Sequence, residues 1–378
     1  MHNDLTTPSS SNDDLGRYLS LMVAQGASDL FLSSGVPASL KIQGQVKRLP
    51  EPKLESSQVQ SLAYSVMRES QIREFESSME CDLAVALEGL GRFRVNVYRQ
   101  RGDVAVVVRH VNAQIPSLES LKLPPVLSRL AMLKRGLVLV VGAAGSGKST
   151  TLAAMLNYRN QHAAGHILTV EDPMEFEHQH AMSNVDQREV GLDTQSFDEA
   201  LRHAMREAPD VIMIGEIRDR ETMQHALAYA ETGHLCVSTL HANNANQAQQ
   251  RILNFFPEAA HKQVMMDLSL NLKGVVGQRL IRGTKERLVP AVEVMLLSPY
   301  IADLIQKAKT DEIKEVIAKS NEIGMATFDQ SLYDLYQHGE ISLEQALDNA
   351  DSRTDLSLRI RMHATHRPDT TGLKMATG

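Results

Sequence analysis

Residues 137–152 read LVLVVGAAGSGKSTTL and constrain the fold more than any other stretch of the chain. An apolar run, 137–141, meets a glycine-rich turn, and a helix-compatible segment follows. Gly142, Gly147, Lys148 and Ser149 satisfy the pattern G-x-x-x-x-G-K-[ST], in the strand–loop–helix context it requires. Glycine lets backbone N–H groups turn inward around a polyphosphate, and the start of the next helix adds its positive dipole end. Gly142, Ala143, Ala144, Gly145, Ser146, Gly147 and Thr150 are therefore expected to cradle phosphates. Lys148 is expected to reach the β- and γ-phosphates, and Ser149 to offer its hydroxyl to Mg²⁺. A glycine-serine loop with an incidental lysine would lack these two flanks.

A chain of 378 residues suggests two or three domains. Hydrophobic residues make up 43% and charged residues 22%, enough for a core without staples. Cys81 and Cys236 lie far apart and outside any C-x-x-C pair, which speaks against a zinc site or a disulfide framework. A net charge of −7 weighs against a general nucleic-acid binder. No apolar run approaches the ~20 residues of a membrane span, so no direct membrane insertion is expected. The opening MHNDLTTPSSSNDD has neither the basic nor the apolar region of a signal peptide.

Composition makes residues 1–13 a disordered tail. Residues 14–111 read as an α+β domain. Leu15, Tyr18, Leu19, Met22 and Val23 recur at helical spacing, and a second helix fits Val59, Leu62, Ala63, Val66 and Met67. Strands fit 29–33, 39–43, 82–87, 92–100 and 104–110, punctuated by glycines. Prolines at 116, 124 and 125 mark 112–134 as a stiff linker. From 135 to 298 strands and helices alternate. Short buried strands at 137–141, 166–171, 211–215 and 235–240 predict a parallel sheet with its ligands at the carboxyl ends. Residues 299–352 read as helical, at 300–309, 311–319, 327–337 and 343–349. Residues 353–378 read as a mobile tail.

Hydrolysis needs carboxylates at strand tips beside the phosphate loop. Two stretches supply them. LTVEDPME, 168–175, ends an apolar strand in Glu171, Asp172 and Glu175, and PDVIMIGEIRD, 209–219, delivers Glu216 at a strand tip. Two acidic tips downstream of one such loop are less readily explained as solvated surface than one. In ETGHLCVSTLH, 231–241, His234 and His241 bracket a strand. Seven residues span roughly 23 Å, so both cannot touch one phosphate. One histidine as a γ-phosphate sensor and the other at a subunit or domain contact, or two unrelated histidines, fit the spacing equally. Arg92, Arg94, Arg99, Arg101 and Arg109 crowd the end of the first domain, and Arg188 and Arg218 are further candidates for transition-state charge.

Together these stretches resemble the secretion-superfamily hexameric ATPases over nearly the whole chain. The resemblance is carried by GASDL (26–30), RFRVN (92–96), GAAGSGKSTT, VEDPMEF, NVDQREVGLDT (184–194), PDVIMIGEIRD and ETGHLCVSTLHANNA. More narrowly, HLCVSTLHANNANQA and GMATFDQSLYDLYQHGEIS (324–342) resemble type IV pilus retraction ATPases of the PilT/PilU family, on the PilU side. The resemblance implies a PAS-like N-terminal domain, a RecA-like ATPase core and a C-terminal helical region in a homo-hexamer. It implies that Glu175 activates water and that Glu216 is the Walker B acid acting through Mg²⁺. His234 and His241 form the family's histidine box, and Arg94 and Arg109 reach the nucleotide. Two departures favour PilU over PilT: Phe31 stands where PilT carries a histidine, and YIADLIQK (300–307) replaces an AIRNLIRE-like helix.

The resemblance further implies a cytoplasmic ATPase, peripheral at the inner membrane, using ATP and Mg²⁺ to power pilus retraction. Its implied partners are a PilT-type retraction ATPase and an inner-membrane platform protein, with no nucleic acid. The alternatives are a nucleotide-binding accessory with little hydrolysis of its own, or another RecA-like motor acting in secretion or on nucleic acid.

Overall fold

The computed structural model describes residues 14–364 other than 43, 112, 113 and 286. The expected tail at 1–13, and the end of the other at 365–378, lie outside the described residues. The chain divides into two compact units. The first takes the described residues up to Ile115, with Glu171–Gln179 and Gln187–Glu199. The second takes Pro116–Val170, His180–Asp186 and the described residues from Ala200 on.

The first unit begins with α1 (Asp14–Ala24), β1 (Asp29–Ser33), β2 (Ser39–Ile42) and β3 (Gln45–Arg48). Then come α2 (Ser56–Tyr64), α3 (Glu69–Ser78), β4 (Glu80–Leu87), β5 (Gly91–Gln100) and β6 (Asp103–Val111). The six strands form one sheet in the order β3-β2-β1-β6-β5-β4, and every neighbouring pair is antiparallel. Alternation in β5 explains the sheet's two faces. Phe93, Val95 and Val97 are buried in a core shared with Leu15, Leu19 and Met22 of α1 and Val59 and Leu62 of α2, while Arg92, Arg94 and Asn96 stand on the other face. Two elements carry no periodic signal in the sequence. All four residues of β3 are exposed, and α3 buries only Phe75.

In the second unit α4 (Val126–Ala131) precedes β7 (Gly136–Val141) and α5 (Lys148–His162). The chain continues through β8 (Gly165–Glu171), β9 (Ser183–Glu189), α6 (Phe197–Ala204), β10 (Val211–Ile214), α7 (Arg220–Glu231) and β11 (Leu235–Leu240). Next are α8 (Ala245–Leu253), α9 (His261–Asn271), β12 (Leu272–Arg282) and β13 (Leu288–Leu296). The sheet order is β13-β12-β7-β11-β10-β8-β9. Strands β12, β7, β11, β10 and β8 are mutually parallel, and β13 runs antiparallel at the edge. Every residue of β7, β10 and β11 is buried, as expected of strands covered on both faces. The parallel sheet expected from the alternation of elements is therefore present, in the α/β core that the family resemblance implies.

The region read as a linker is more structured than its prolines suggest. Leu118, Leu123, Val126, Leu127 and Leu130 are buried in the core of the second unit, with Pro124 and Pro125 leading into α4. The C-terminal helices are α10 (Pro299–Gln306), α11 (Ile313–Lys319), α12 (Phe328–Gln337), α13 (Leu343–Asp348) and α14 (Arg353–Ala364). The last of these lies where a mobile tail was expected to start. Leu356 and Ile360 give it an anchor, packed with Phe328, Leu332 and Ile341.

Candidate active site

Strand register brings the functional residues of the second unit to one edge of the parallel sheet. Leu240 of β11 pairs with Val141 of β7, and Ile214 of β10 pairs with Ser238 of β11. The chain leaves β7 into the loop 142–147, leaves β10 into Gly215 and Glu216, and leaves β11 into His241. All three exits are carboxyl ends, where open α/β sheets bind ligands.

The loop 142–147 is held tightly on its protein side. A Cβ at Gly142 would come 2.3 Å from Ser146 Oγ and 2.5 Å from the Gln278 carbonyl oxygen, so only glycine fits. Gly147, at φ 86°, caps the amino end of α5 in the left-handed region. Lys148 is buried, and its Nζ donates to the carbonyl oxygens of Gly142 (3.0 Å) and Ala143 (2.9 Å). The lysine thus spans the loop from inside. A polyphosphate offers its ammonium stronger acceptors than two neutral carbonyls.

Glu216 and His241 meet across adjacent strand tips. Glu216 Oε1 lies 2.9 Å from His241 Nε2, and Arg218 Nε donates to Glu216 Oε2 at 2.9 Å. Backbone and hydroxyl bonds fix both tips. Thr239 Oγ1 donates to the Gly215 carbonyl (2.8 Å), Ser238 Oγ to the Ile214 carbonyl (2.7 Å), and the Ile217 N–H to the Thr239 carbonyl (2.9 Å). A carboxylate held between an imidazole and a guanidinium suits work on a metal–phosphate group. His234 stands at the other end of β11, roughly 23 Å along the strand. Its Nδ1 lies 3.1 Å from Thr232 Oγ1, and it lines a cleft of about 430 Å³ with Lys134, Arg159 and Asp210. The structure therefore groups His241 with Glu216 and leaves His234 out.

Arg94, Arg109 and Glu175 come together in the first unit. They line a cleft of about 340 Å³ with His110, Pro173 and Met174. Arg94 and Arg109 are directly opposite in the β5–β6 register. Like charges so placed repel unless each has its own counter-ion. Arg94 Nε lies 2.8 Å from Glu189 Oε1, and Arg109 Nε donates to Asp29 Oδ1 at 2.8 Å. Burial raises the Glu189 carboxyl above its ordinary range, against the opposing pull of Arg94 and Arg92. Asp29 is the acid of the GASDL stretch, 80 residues from its arginine.

Two residues escape sequence reasoning. Glu189 sits inside a stretch that carries the family resemblance, but no periodicity marks it as the partner of Arg94. Gln278 is a polar residue inside the buried run of β12, and that polarity is its one signal. Its Oε1 accepts from Thr151 Oγ1 at 2.7 Å, within the first turn of α5.

The profile of the family described as "Type II/IV secretion system protein" matches residues 9–347. The chain is 53% identical over 349 residues to the type IV pilus ATPase PilU of Pseudomonas aeruginosa, covering 92% of this chain and 91% of that one. It is 42% identical over 337 residues to the retraction ATPase PilT of the same organism, covering 89% and 98%. A crystal structure of the pilus retraction motor PilT with bound ADP superposes with a TM-score of 0.85 at 40% identity, covering 92% of this chain and all of that one.

Proposed function

The chain belongs to the type II/IV secretion system protein family, within its PilT/PilU type, and from that membership we propose a nucleotide-driven motor of type IV pilus retraction in the PilU-type accessory role. The observation that carries the reading is the convergence of the phosphate loop, Glu216 and His241 at adjacent carboxyl ends of one parallel sheet. The protein is an ATPase, and ATP enters as substrate.

Catalysis at such a site is positioning plus electrostatics. The loop amides from Gly142 to Gly147 and the amino end of α5 take the phosphates, with Ser146 closing the turn and Thr150 beside it. Lys148 leaves the carbonyls of Gly142 and Ala143 for the β- and γ-phosphate oxygens. The donor set fits Mg²⁺, a cation that takes one or two protein oxygens and fills the rest of its shell with phosphate and water. Ser149 and Glu216 would hold it, and it would neutralise charge developing on the γ-phosphoryl group. His241 orients Glu216 through its Nε2. Glu175 is assigned the water-activating role and Arg94 and Arg109 the role of nucleotide-reaching cations.

We further assign the chain to a homo-hexamer acting with a PilT-type ring on an inner-membrane platform protein, at the cytoplasmic face. The domain scheme proposed for it is a PAS-like domain at 14–111, an ATPase core at 135–298 and a helical region at 299–352. Phosphate release from the purified protein, its Lys148→Ala variant and its Glu216→Gln variant tests the catalytic reading. Hydrolysis by Lys148→Ala at the parent rate would end it. A retraction assay in cells carrying this protein alone, a PilT-type partner alone, or both tests the accessory role.

A further inference from the structure

Gln278 is a buried amide on a strand that carries no residue of the phosphate loop. Register explains its position. Gly277 of β12 pairs with Val141, the last residue of β7, so Gln278 lies beside Gly142, where the loop begins. Its carbonyl oxygen leaves no room for a Cβ at Gly142. Its Nε2 stands 2.8 Å from where a Cβ at Gly147 would lie. Its Oε1 accepts from Thr151. One side chain and its own peptide thus touch the entry to the loop, the glycine before Lys148 and the first turn of α5. A buried amide costs stability unless its polar atoms find partners, and here its contacts converge on the loop.

The next residue turns the other way, as strand geometry requires. Arg279 donates from Nη2 to Asp351 Oδ1 (2.7 Å) and from Nη1 to the Asn349 carbonyl (2.9 Å), and its guanidinium lies 3.8 Å over the Phe328 ring. Asp351 is held in turn by Lys314 Nζ at 2.9 Å. Adjacent residues of β12 therefore grip the phosphate loop on one face and the C-terminal helical region on the other.

We propose that Gln278 is a positioning residue for the phosphate loop, and that the Arg279–Asp351 pair makes the C-terminal helices part of that support. The proposal rests on the ATPase reading for its kinetic readout, and its binding readout stands apart from it. A pre-set loop lowers the ordering cost of binding the nucleotide, so loss of support raises KM and Kd before it lowers kcat.

The test compares the full-length parent with Gln278→Leu, Thr151→Val, their double variant, Thr151→Ser and Asp351→Asn. The measurements are steady-state ATP hydrolysis, binding of a fluorescent ADP, and Tm. Gln278→Leu is expected to weaken ADP binding and raise KM about tenfold, with kcat within threefold. Thr151→Val should match it, the double variant should be no worse than either single, and Thr151→Ser should keep parent values. Asp351→Asn should shift ADP affinity in the same direction by about threefold. Parent-like ADP affinity in Gln278→Leu, or additive losses in the double variant, would overturn the positioning role. An unchanged Asp351→Asn would overturn the helical half. A parent protein that binds ADP without hydrolysing ATP would count against the ATPase reading alone, and the binding arm would still decide this one.

Discussion

His241 Nε2 lies 2.9 Å from Glu216 Oε1, although 25 residues separate them and each ends a different strand. The pairing exists because β10 and β11 are parallel neighbours, with Ile214 opposite Ser238, so that the chain leaving β10 runs alongside the last residues of β11. Glu216 is thus oriented before any nucleotide arrives. Glu216→Gln keeps the shape and removes the charge. It is expected to lower kcat by about 10²–10³ while fluorescent ADP still binds, an effect of the size seen when one preorganised electrostatic group is removed. His241→Ala removes one hydrogen bond to a charged group and should lower kcat by about 10–100-fold. Steady-state phosphate release reads both, and full activity in Glu216→Gln would strip the carboxylate of its role.

Arg94 and Arg109 face each other on neighbouring strands, and both of their counter-ions are buried, but the arginines differ in exposure. Arg94 is 26% exposed beside Glu189, whereas Arg109 is 62% exposed beside Asp29, whose other oxygen accepts from Ser28 Oγ at 2.8 Å and lies 3.9 Å from Lys41 Nζ. Removing the partner of a buried carboxylate leaves an uncompensated charge. Arg94→Ala should destabilise the protein by about 3 kcal/mol, and Glu189→Gln in that background should recover most of it. Arg109→Ala should cost less, about 1 kcal/mol, because this guanidinium is the more solvated and Asp29 keeps Ser28 and Lys41 as partners. Urea denaturation orders the three variants. Equal losses for the two arginines would mean that neither arginine exposure nor the remaining partners of Asp29 control the cluster.

These pairs mark where sequence reading stops. The phosphate loop, the strands at 29–33 and 235–240 and the acidic tip at Glu216 are local, each written in consecutive residues with its own periodicity and turn chemistry. The helices from α10 to α13 are legible for the same reason. What is not legible depends on register between distant segments. Asp29 reaches Arg109 only because β1 lies against β6. Gln278 reaches Thr151 across 127 residues because β12 inserts beside β7. β12 and β13 escape a strand reading because Lys273, Gln278 and Arg279 in one and Pro290 and Glu293 in the other break the apolar runs, and neither keeps a strict alternation. The anchor of α14 is two side chains, too few to raise a periodic signal above its polar sequence.

Glu293 on β13 makes stability depend on pH. It is nearly fully buried, opposite Gly277, and its Oε1 accepts from the Ala245 N–H at 2.9 Å. Burial pushes its carboxyl up to about 7; the Ala245 N–H, Lys314 and Arg279 pull it down, and Asp351 pushes it further up. A carboxyl raised in the folded state holds its proton more tightly there than in the unfolded chain. Its contribution is therefore full below the ordinary 4.5 and is lost as pH rises through about 7. The size is about 3 kcal/mol. Urea midpoints measured from pH 5 to 8.5 should fall in the parent, and Glu293→Gln should flatten that part of the profile. A variant that tracks the parent across the window would show that another group titrates there.

The two histidines of ETGHLCVSTLH should separate cleanly in one assay. His234 lies at the amino end of β11, among Lys134, Arg159 and Asp210, and its Nδ1 meets the Thr232 hydroxyl in the same turn. His241 lies at the carboxyl end on Glu216. With about 23 Å of strand between them, His234 has no route to a phosphate in its own chain. His234→Ala should leave ADP affinity within about twofold of the parent and lower stability by no more than about 1 kcal/mol, the net worth of one ordinary hydrogen bond. Any loss of hydrolysis in His234→Ala should then depend on protein concentration, because the cleft it lines can act only through something docked there. His241→Ala should lose turnover at every concentration. A His234→Ala protein whose ADP affinity falls tenfold at low concentration would contradict the placement of the two residues at opposite ends of the strand.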